Sequence, residues 1–196
     1  MDHTTDFRLP IDVKPTGYKL TLTPDFENFT FEGFVDIALD VKYSTSCIIM
    51  NAADLDVKRA IVTQGRKIQH TPQIVMDSEK ETVSVVLRTP LTRGKANISL
   101  TFNGTLNDKL VGFYRSKYAM PDGKTRHMAT TQFAAIDARR AFPCFDEPEQ
   151  KATFDLTLIV PEDRTAISNM PVRDELSLGD GRKAVSFNTT PVMSTY

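Results

Sequence analysis

Tryptophan is missing from this sequence, and histidine and cysteine nearly so: three of one and two of the other in 196 residues. His3, His70 and His127 stand far apart, none with a partner at metal-ligand spacing, and no H-E-x-x-H occurs, so no local metal centre is written in the chain. His127 follows Arg126 at the start of a strand and reads as a surface or strand-end histidine. A G-x-S-x-G elbow, a P-loop and a dinucleotide-binding glycine pattern are absent as well. No apolar run approaches the roughly 20 residues needed to span a bilayer. The formal net charge of -1 gives no electrostatic reason to expect nucleic acid or an anionic membrane as partner.

The opening, MDHTTDFRLPIDVKP, has no apolar core and no small-residue cleavage pattern, so no secretory signal is read there and a cytoplasmic location is expected. Cys47 and Cys144 are then expected to be reduced and packed in the core, without a histidine partner that would make either a nucleophile. The sequons at Asn28, Asn97, Asn103 and Asn188 are read as unmodified on the same ground.

What the sequence has is alternation. Phe29, Phe31, Val35, Ile37, Leu39 and Val41 share one face of a strand, and Thr30, Glu32, Asp36 and Asp40 the other. Tyr18, Leu20 and Leu22 alternate before it, with PDFEN as the turn of an antiparallel hairpin. Further strands are expected at Cys47–Met50, Val57–Val62, Gln73–Met76 and Thr82–Leu87. Ile98, Leu100 and Phe102 form another, stopped by the turn signal NGT, and Phe154 to Val160 one more, stopped by Pro161. Ala166–Asn169 and Ala184–Asn188 complete the set, joined by a connection containing LGDGRK, and TTPVMSTY resembles a strand that is just starting. The charged run DSEKE, Asp77 to Glu81, reads as a solvated turn, and Tyr114 and Arg115 as sheet and rim residues. With 40% hydrophobic residues and no amphipathic helix of three turns, the fold class is all-β: layered, mostly antiparallel sheets in a single domain over residues 1–196, with at most short helical turns. One such turn is expected at Asp137 to Ala141, with Asp137 as its cap.

One stretch is denser in chemistry than the rest: TTQFAAIDARRAFPCFDEPEQKATF, from Thr130 to Phe154. Pro143 and Pro148 restrict its backbone to a corner. Asp146 and Glu147 can accept backbone N–H groups or pair with Arg139 or Arg140. They are adjacent on an extended segment, point to opposite sides, and so read as architecture and not as an acid–base pair. Gln132 reads either as a solvent-facing strand residue or as part of a site, and Phe133, on the opposite face, as core.

That stretch, together with RLPIDVKPTGYKLTLTPDFENFTFEG, LVGFYRSKY, AISNMPV and TPVMSTY in the same order, strongly resembles the N-terminal domain of the gluzincin zinc aminopeptidases, the family of aminopeptidase N and puromycin-sensitive aminopeptidase. The resemblance covers most of the chain. It implies a saddle-like β domain that packs on a downstream catalytic domain. There, two histidines of H-E-x-x-H and a later glutamate hold zinc to release N-terminal residues from peptides. No catalytic residue and no metal ligand of that set is in this chain, so the resemblance implies no hydrolysis by the chain alone. It does imply a substrate contact through a T-Q-x-[E/Q] strand. The glutamine lines the pocket for the N-terminal side chain, and the acid or amide two residues on holds the free α-amino group. Gln132 matches the first position. Ala134 stands at the second, where a methyl group accepts no hydrogen bond. That departure keeps open a second reading, a non-catalytic homologue used as a scaffold or binding module.

Overall fold

The computed structural model describes residues 8–70 and 72–196. His3 lies outside the described residues. Thirteen strands follow in chain order: β1 (Val13–Asp25), β2 (Thr30–Val41), β3 (Thr45–Asn51), β4 (Leu55–Gln64), β5 (Lys67–His70), β6 (Gln73–Asp77), β7 (Thr82–Leu91), β8 (Gly94–Thr105), β9 (Gly112–Ala119), β10 (Thr125–Gln132), β11 (Thr153–Pro161), β12 (Val172–Ser177) and β13 (Arg182–Phe187). One three-residue 3-10 turn, Ala138–Arg140, interrupts them. The all-β, layered and mostly antiparallel expectation holds.

The strands form an eight-stranded sheet ordered β12-β13-β11-β1-β2-β8-β4-β5, a three-stranded sheet β3-β7-β6 and a two-stranded ribbon β9-β10. Among the described strands, only the β1–β11 pair is parallel. The period of two does the work the sequence predicts. In β2, Phe31, Val35, Ile37, Leu39 and Val41 are buried while Thr30, Glu32 and Ala38 are exposed. These meet Ile98, Leu100 and Phe102 of β8 and Ile48, Met50, Val83 and Val85 of the small sheet in one core. Burying each such side chain stabilises by about 1.5–3 kcal/mol. β1 keeps its inward face by a local irregularity. Val13 and Pro15 are buried, the register slips between Pro15 and Gly17, and the buried positions then become Tyr18, Leu20 and Leu22.

The PDFEN turn is present, and Asp25 makes it. Its Oδ1 accepts the N–H groups of Glu27 (2.8 Å) and Asn28 (3.0 Å). NGT, by contrast, is not a turn. β8 runs through it to Thr105. Phe31 faces Gly104 across the β2–β8 ladder and Phe102 faces Gly33. A Cβ at either glycine would sit inside the opposing ring, so these two glycines make room for aromatics and do not bend the chain.

Four further expectations are corrected. Ala166–Asn169 forms no strand and Asn169 lies in a bend; β12 takes the edge of β13 instead. TTPVMSTY forms no strand: only Met193 bridges, exchanging two 3.0 Å bonds with Ala152, and Pro191 has no N–H to extend the pairing. Asp137 precedes the 3-10 turn without capping it by its side chain. Cys47 is only half-buried, whereas Cys144 is fully buried; both are free thiols. The short β5, hidden in the polar sequence RKIQH, carried no periodic signal. It is tied to β7 by Gln69, whose amide donates to Thr89 O (2.8 Å) and accepts from Thr89 N (3.0 Å).

Candidate functional site

The segment from Thr130 to Phe154 leaves the ribbon, makes the 3-10 turn, passes through the core and enters β11. Gln132 is the last residue of β10, paired with Gly112. It is exposed, and its amide donates weakly to Ala134 O at 3.4 Å. Ala134 and Ile136 are exposed as well, Ile136 by 52%. Phe133 turns the other way and packs edge-on to buried Phe142, with ring centres 6.1 Å apart. The strand end therefore presents Gln132 and Ala134 outward and is anchored by its neighbour.

The anchor is built from charge. Asp146 is 1% exposed at its side chain and lies against Arg139, itself 11% exposed. Its Oδ2 accepts from Arg139 Nε (3.0 Å) and Arg139 N (3.3 Å), and its Oδ1 from the Thr195 hydroxyl (2.6 Å). Glu147 points elsewhere and accepts the Leu9 N–H at 2.7 Å. The two carboxylates thus diverge, and the architectural reading of Asp146 and Glu147 holds.

The charged run DSEKE puts Glu81 in a solvated turn, and here the structure differs. Asp77 does form a turn, accepting the N–H groups of Glu79 and Lys80. Glu81 instead adopts a positive φ of 50° and turns inward. It pairs with Arg139 at 3.1 Å and with Arg140 at 2.6 Å. Arg140 also binds Asp137 (3.0 Å) and Asp54. Burial alone would lower the Arg140 guanidinium; the carboxylates of Asp137, Glu81 and Asp54 outweigh it and hold it above its ordinary value. Nothing in the local sequence signals Glu81, since its partners lie 58 and 59 residues away.

Asn51 closes the corner. It exchanges backbone bonds with Cys144 (2.8 and 3.0 Å), and its side chain accepts the Asp146 N–H at 3.0 Å. Burial, reinforced by the Asp146 charge, pushes the Cys144 thiol well above its usual range, so it is no nucleophile. Tyr18 shares the environment; burial raises its phenol, whose oxygen accepts the Phe145 N–H at 3.2 Å. His127 sits half-buried within β10, edge-on to Phe29 at 4.8 Å. Arg115 stacks on the same Phe29 ring at 4.6 Å and donates to Leu106 O and Asp108.

One cleft on the described surface is lined by residues that include Tyr43, Arg93 and Gln150, and another by Phe26, Arg126 and Arg164. Neither includes Gln132 or Ala134. Among the described residues no three His, Cys, Asp or Glu side chains converge as a metal site. The zinc that the resemblance implies has no ligand set among them. No described helix is long and apolar enough to cross a membrane.

The model of the family described as Peptidase M1 N-terminal domain matches residues 14–196. Curated relatives agree along the same length. The chain is 45% identical over 193 residues to Aminopeptidase M1 of Arabidopsis thaliana, covering 96% of this chain and 22% of that protein. It is 41% identical to Aminopeptidase 2 of Candida albicans and 40% identical to Puromycin-sensitive aminopeptidase of Caenorhabditis elegans, in each case over 96% of this chain and 20% of the relative. The chain thus spans about a fifth of the curated relatives it matches. It belongs to the Peptidase M1 N-terminal domain family.

Proposed function

We propose that this chain is the first domain of a zinc-dependent aminopeptidase that removes N-terminal residues from peptides. It supplies one wall of the pocket for the N-terminal side chain through Gln132 and does no chemistry alone. The observation that carries this is the incompleteness of the site. Gln132, Ala134 and Ile136 stand exposed on a rigidly braced strand end, outside either cleft, and need a second wall. Relatives named as aminopeptidases run about five times longer. A downstream catalytic domain in the same protein would bring the zinc, the general base and the facing wall. The exposed apolar side chains Ile136, Met128 and Leu110 around the ribbon suit such a packing face. A cytoplasmic location is part of the proposal, supported by two unpaired thiols.

Ala134 favours one further reading. A methyl group cannot accept from an ammonium group. The same fold in a protein without H-E-x-x-H would serve as a scaffold or peptide-binding module.

The test is release of aminoacyl fluorophores by the whole protein, with and without a zinc chelator, beside this chain alone. Chelator-sensitive release by the former and none by the latter is expected. A folded, zinc-loaded whole protein that releases nothing overturns the enzyme reading and leaves the scaffold.

A further inference from the structure

We propose that Thr195 is a positioning residue for the substrate wall: through Asp146 and Arg139 it sets where Gln132 stands. The inference rests on the aminopeptidase reading and names a residue that tunes that site without touching the peptide. Thr195 is polar, yet only 6% exposed, and its hydroxyl donates to Asp146 Oδ1 at 2.6 Å across 49 residues of chain. That oxygen has no other donor among the described residues, while Oδ2 takes both donors of Arg139. One buried carboxylate therefore ties residue 195 to the 3-10 turn Ala138–Arg140.

The turn in its place carries the strand end. Asp137 N donates to Phe133 O at 2.9 Å, directly after Gln132. Gly112, the ladder partner of Gln132, lies so close to the turn that a Cβ on it would meet Arg140 Cβ at 2.6 Å. The Gln132 side chain has only the 3.4 Å contact to Ala134 O among the described residues, so its position follows from the backbone beneath it. A binding wall has to be placed to within a fraction of an ångström of the groups it works with. In the proposed whole protein the facing wall belongs to the domain that follows, and Thr195 stands on the segment that leads there. The segment joining the two walls is thus bonded to the frame of the first. Thr195→Val keeps the shape and removes the donor. Asp146 Oδ1 is then buried without a partner, and the carboxylate, Arg139 and the turn must readjust together.

The test uses the whole protein and two aminoacyl fluorophores, one with N-terminal leucine and one with glycine, which has no side chain to meet the wall. Thr195→Val is expected to raise KM for the leucyl substrate by about tenfold and to leave the glycyl substrate within about twofold. Thr195→Ser, which keeps the hydroxyl, should restore the leucyl value. In a Gln132→Ala background, Thr195→Val should add less than about twofold for leucine, because it acts through that wall. If Thr195→Val does not fold, Thr195→Ala, which leaves room for a water at Asp146, takes its place and must show the same preference for glycine over leucine. A loss shared equally by both substrates, a loss undiminished by Gln132→Ala, or one that serine does not rescue makes Thr195 structural only and overturns the proposal, with the aminopeptidase reading intact. A folded, zinc-loaded parent that releases neither fluorophore overturns that reading, and this proposal with it.

Discussion

Arg139 and Asp146 are bonded to each other twice across the corner. The guanidinium Nε and the backbone N–H of Arg139 both donate to one carboxylate oxygen of Asp146, at 3.0 and 3.3 Å. A carboxylate 1% exposed survives there because every direction it faces holds a donor, including Thr195 near the chain's other end. Asp146→Asn keeps the shape and removes the charge. It leaves Arg139 buried with only Glu81 as counter-charge. A loss of about 3 kcal/mol is expected. Urea unfolding reads it as a lower midpoint at constant slope. A loss below about 1 kcal/mol would match a surface pair and refute this account of the corner.

Gly104 offers a sharper test of the sheet. If NGT were a turn, its glycine would hold a positive φ, and the cost of alanine there would be in the backbone and not relieved by any change at Phe31. In the ladder it faces Phe31, and an added Cβ would enter the ring and press on Leu55 Cδ2 at 3.0 Å. Gly104→Ala is therefore expected to cost about 1–3 kcal/mol by overpacking. The companion Phe31→Leu, Gly104→Ala double variant should recover part of that loss. A Gly104→Ala loss that the Phe31→Leu change does not relieve would return NGT to a surface turn.

These two cases show what could be read from residues and what could not. Period-two patterns identified β2, β8 and β11 because one face of each packs on the core, fully in β2 and β8 and partly in β11, and burial leaves its mark on residue type. β5 and β12 escaped or were misplaced because edge strands are fixed by backbone pairing, which writes little into side chains; all six residues of β12 are exposed. The corner could be recognised from Pro143, Asp146 and the two arginines. Glu81 could not, since its role depends on the sheet topology bringing β7's start to the 3-10 turn. Gln132 is outward at a strand end, as either reading of it required.

The two cysteines should separate cleanly under thiol reagents. Cys144 is fully buried and its thiol is pushed up by burial and by Asp146; Cys47 is half-buried and only raised by burial. Cys47 is expected to label slowly in the native chain and Cys144 only with global unfolding. Mass spectrometry after timed alkylation locates each adduct. Native labelling of Cys144 as fast as Cys47 would show that the corner opens locally.

Alkaline pH should destabilise the fold through the same buried groups. Tyr18 and Cys144 both ionise later in the folded chain than in the unfolded one. Their contribution is full below the unfolded values, about 8.5 for a thiol and about 10 for a phenol, and is lost as pH rises beyond them, because the unfolded chain gives up protons first. Unfolding free energy should fall from about pH 8.5 upward. In Tyr18→Phe the slope near pH 10 should flatten. Stability at neutral pH should drop by about 1–3 kcal/mol, since the Phe145 N–H loses its acceptor. A stability curve level to pH 11 in the parent chain would contradict the buried-phenol account.

Ala134 is where the proposed substrate role can be pressed hardest. Its side chain is exposed, so a longer residue reaches outward without disturbing Phe133 or Phe142 beneath. In the whole protein, Ala134→Glu would give a peptide's ammonium group a charged acceptor beside Gln132. A charge-assisted bond of that kind is worth about 1.5–3 kcal/mol, which corresponds to roughly a tenfold or greater fall in KM for a free N-terminus. Binding of an N-acetylated peptide should not improve, because it has no ammonium to hold. Gln132→Ala should shift the preference among N-terminal side chains more than it shifts affinity for the amine. An Ala134→Glu protein that folds, yet gains for acetylated and free peptides alike or for neither, would remove this strand end from the substrate pocket and leave it as part of the frame.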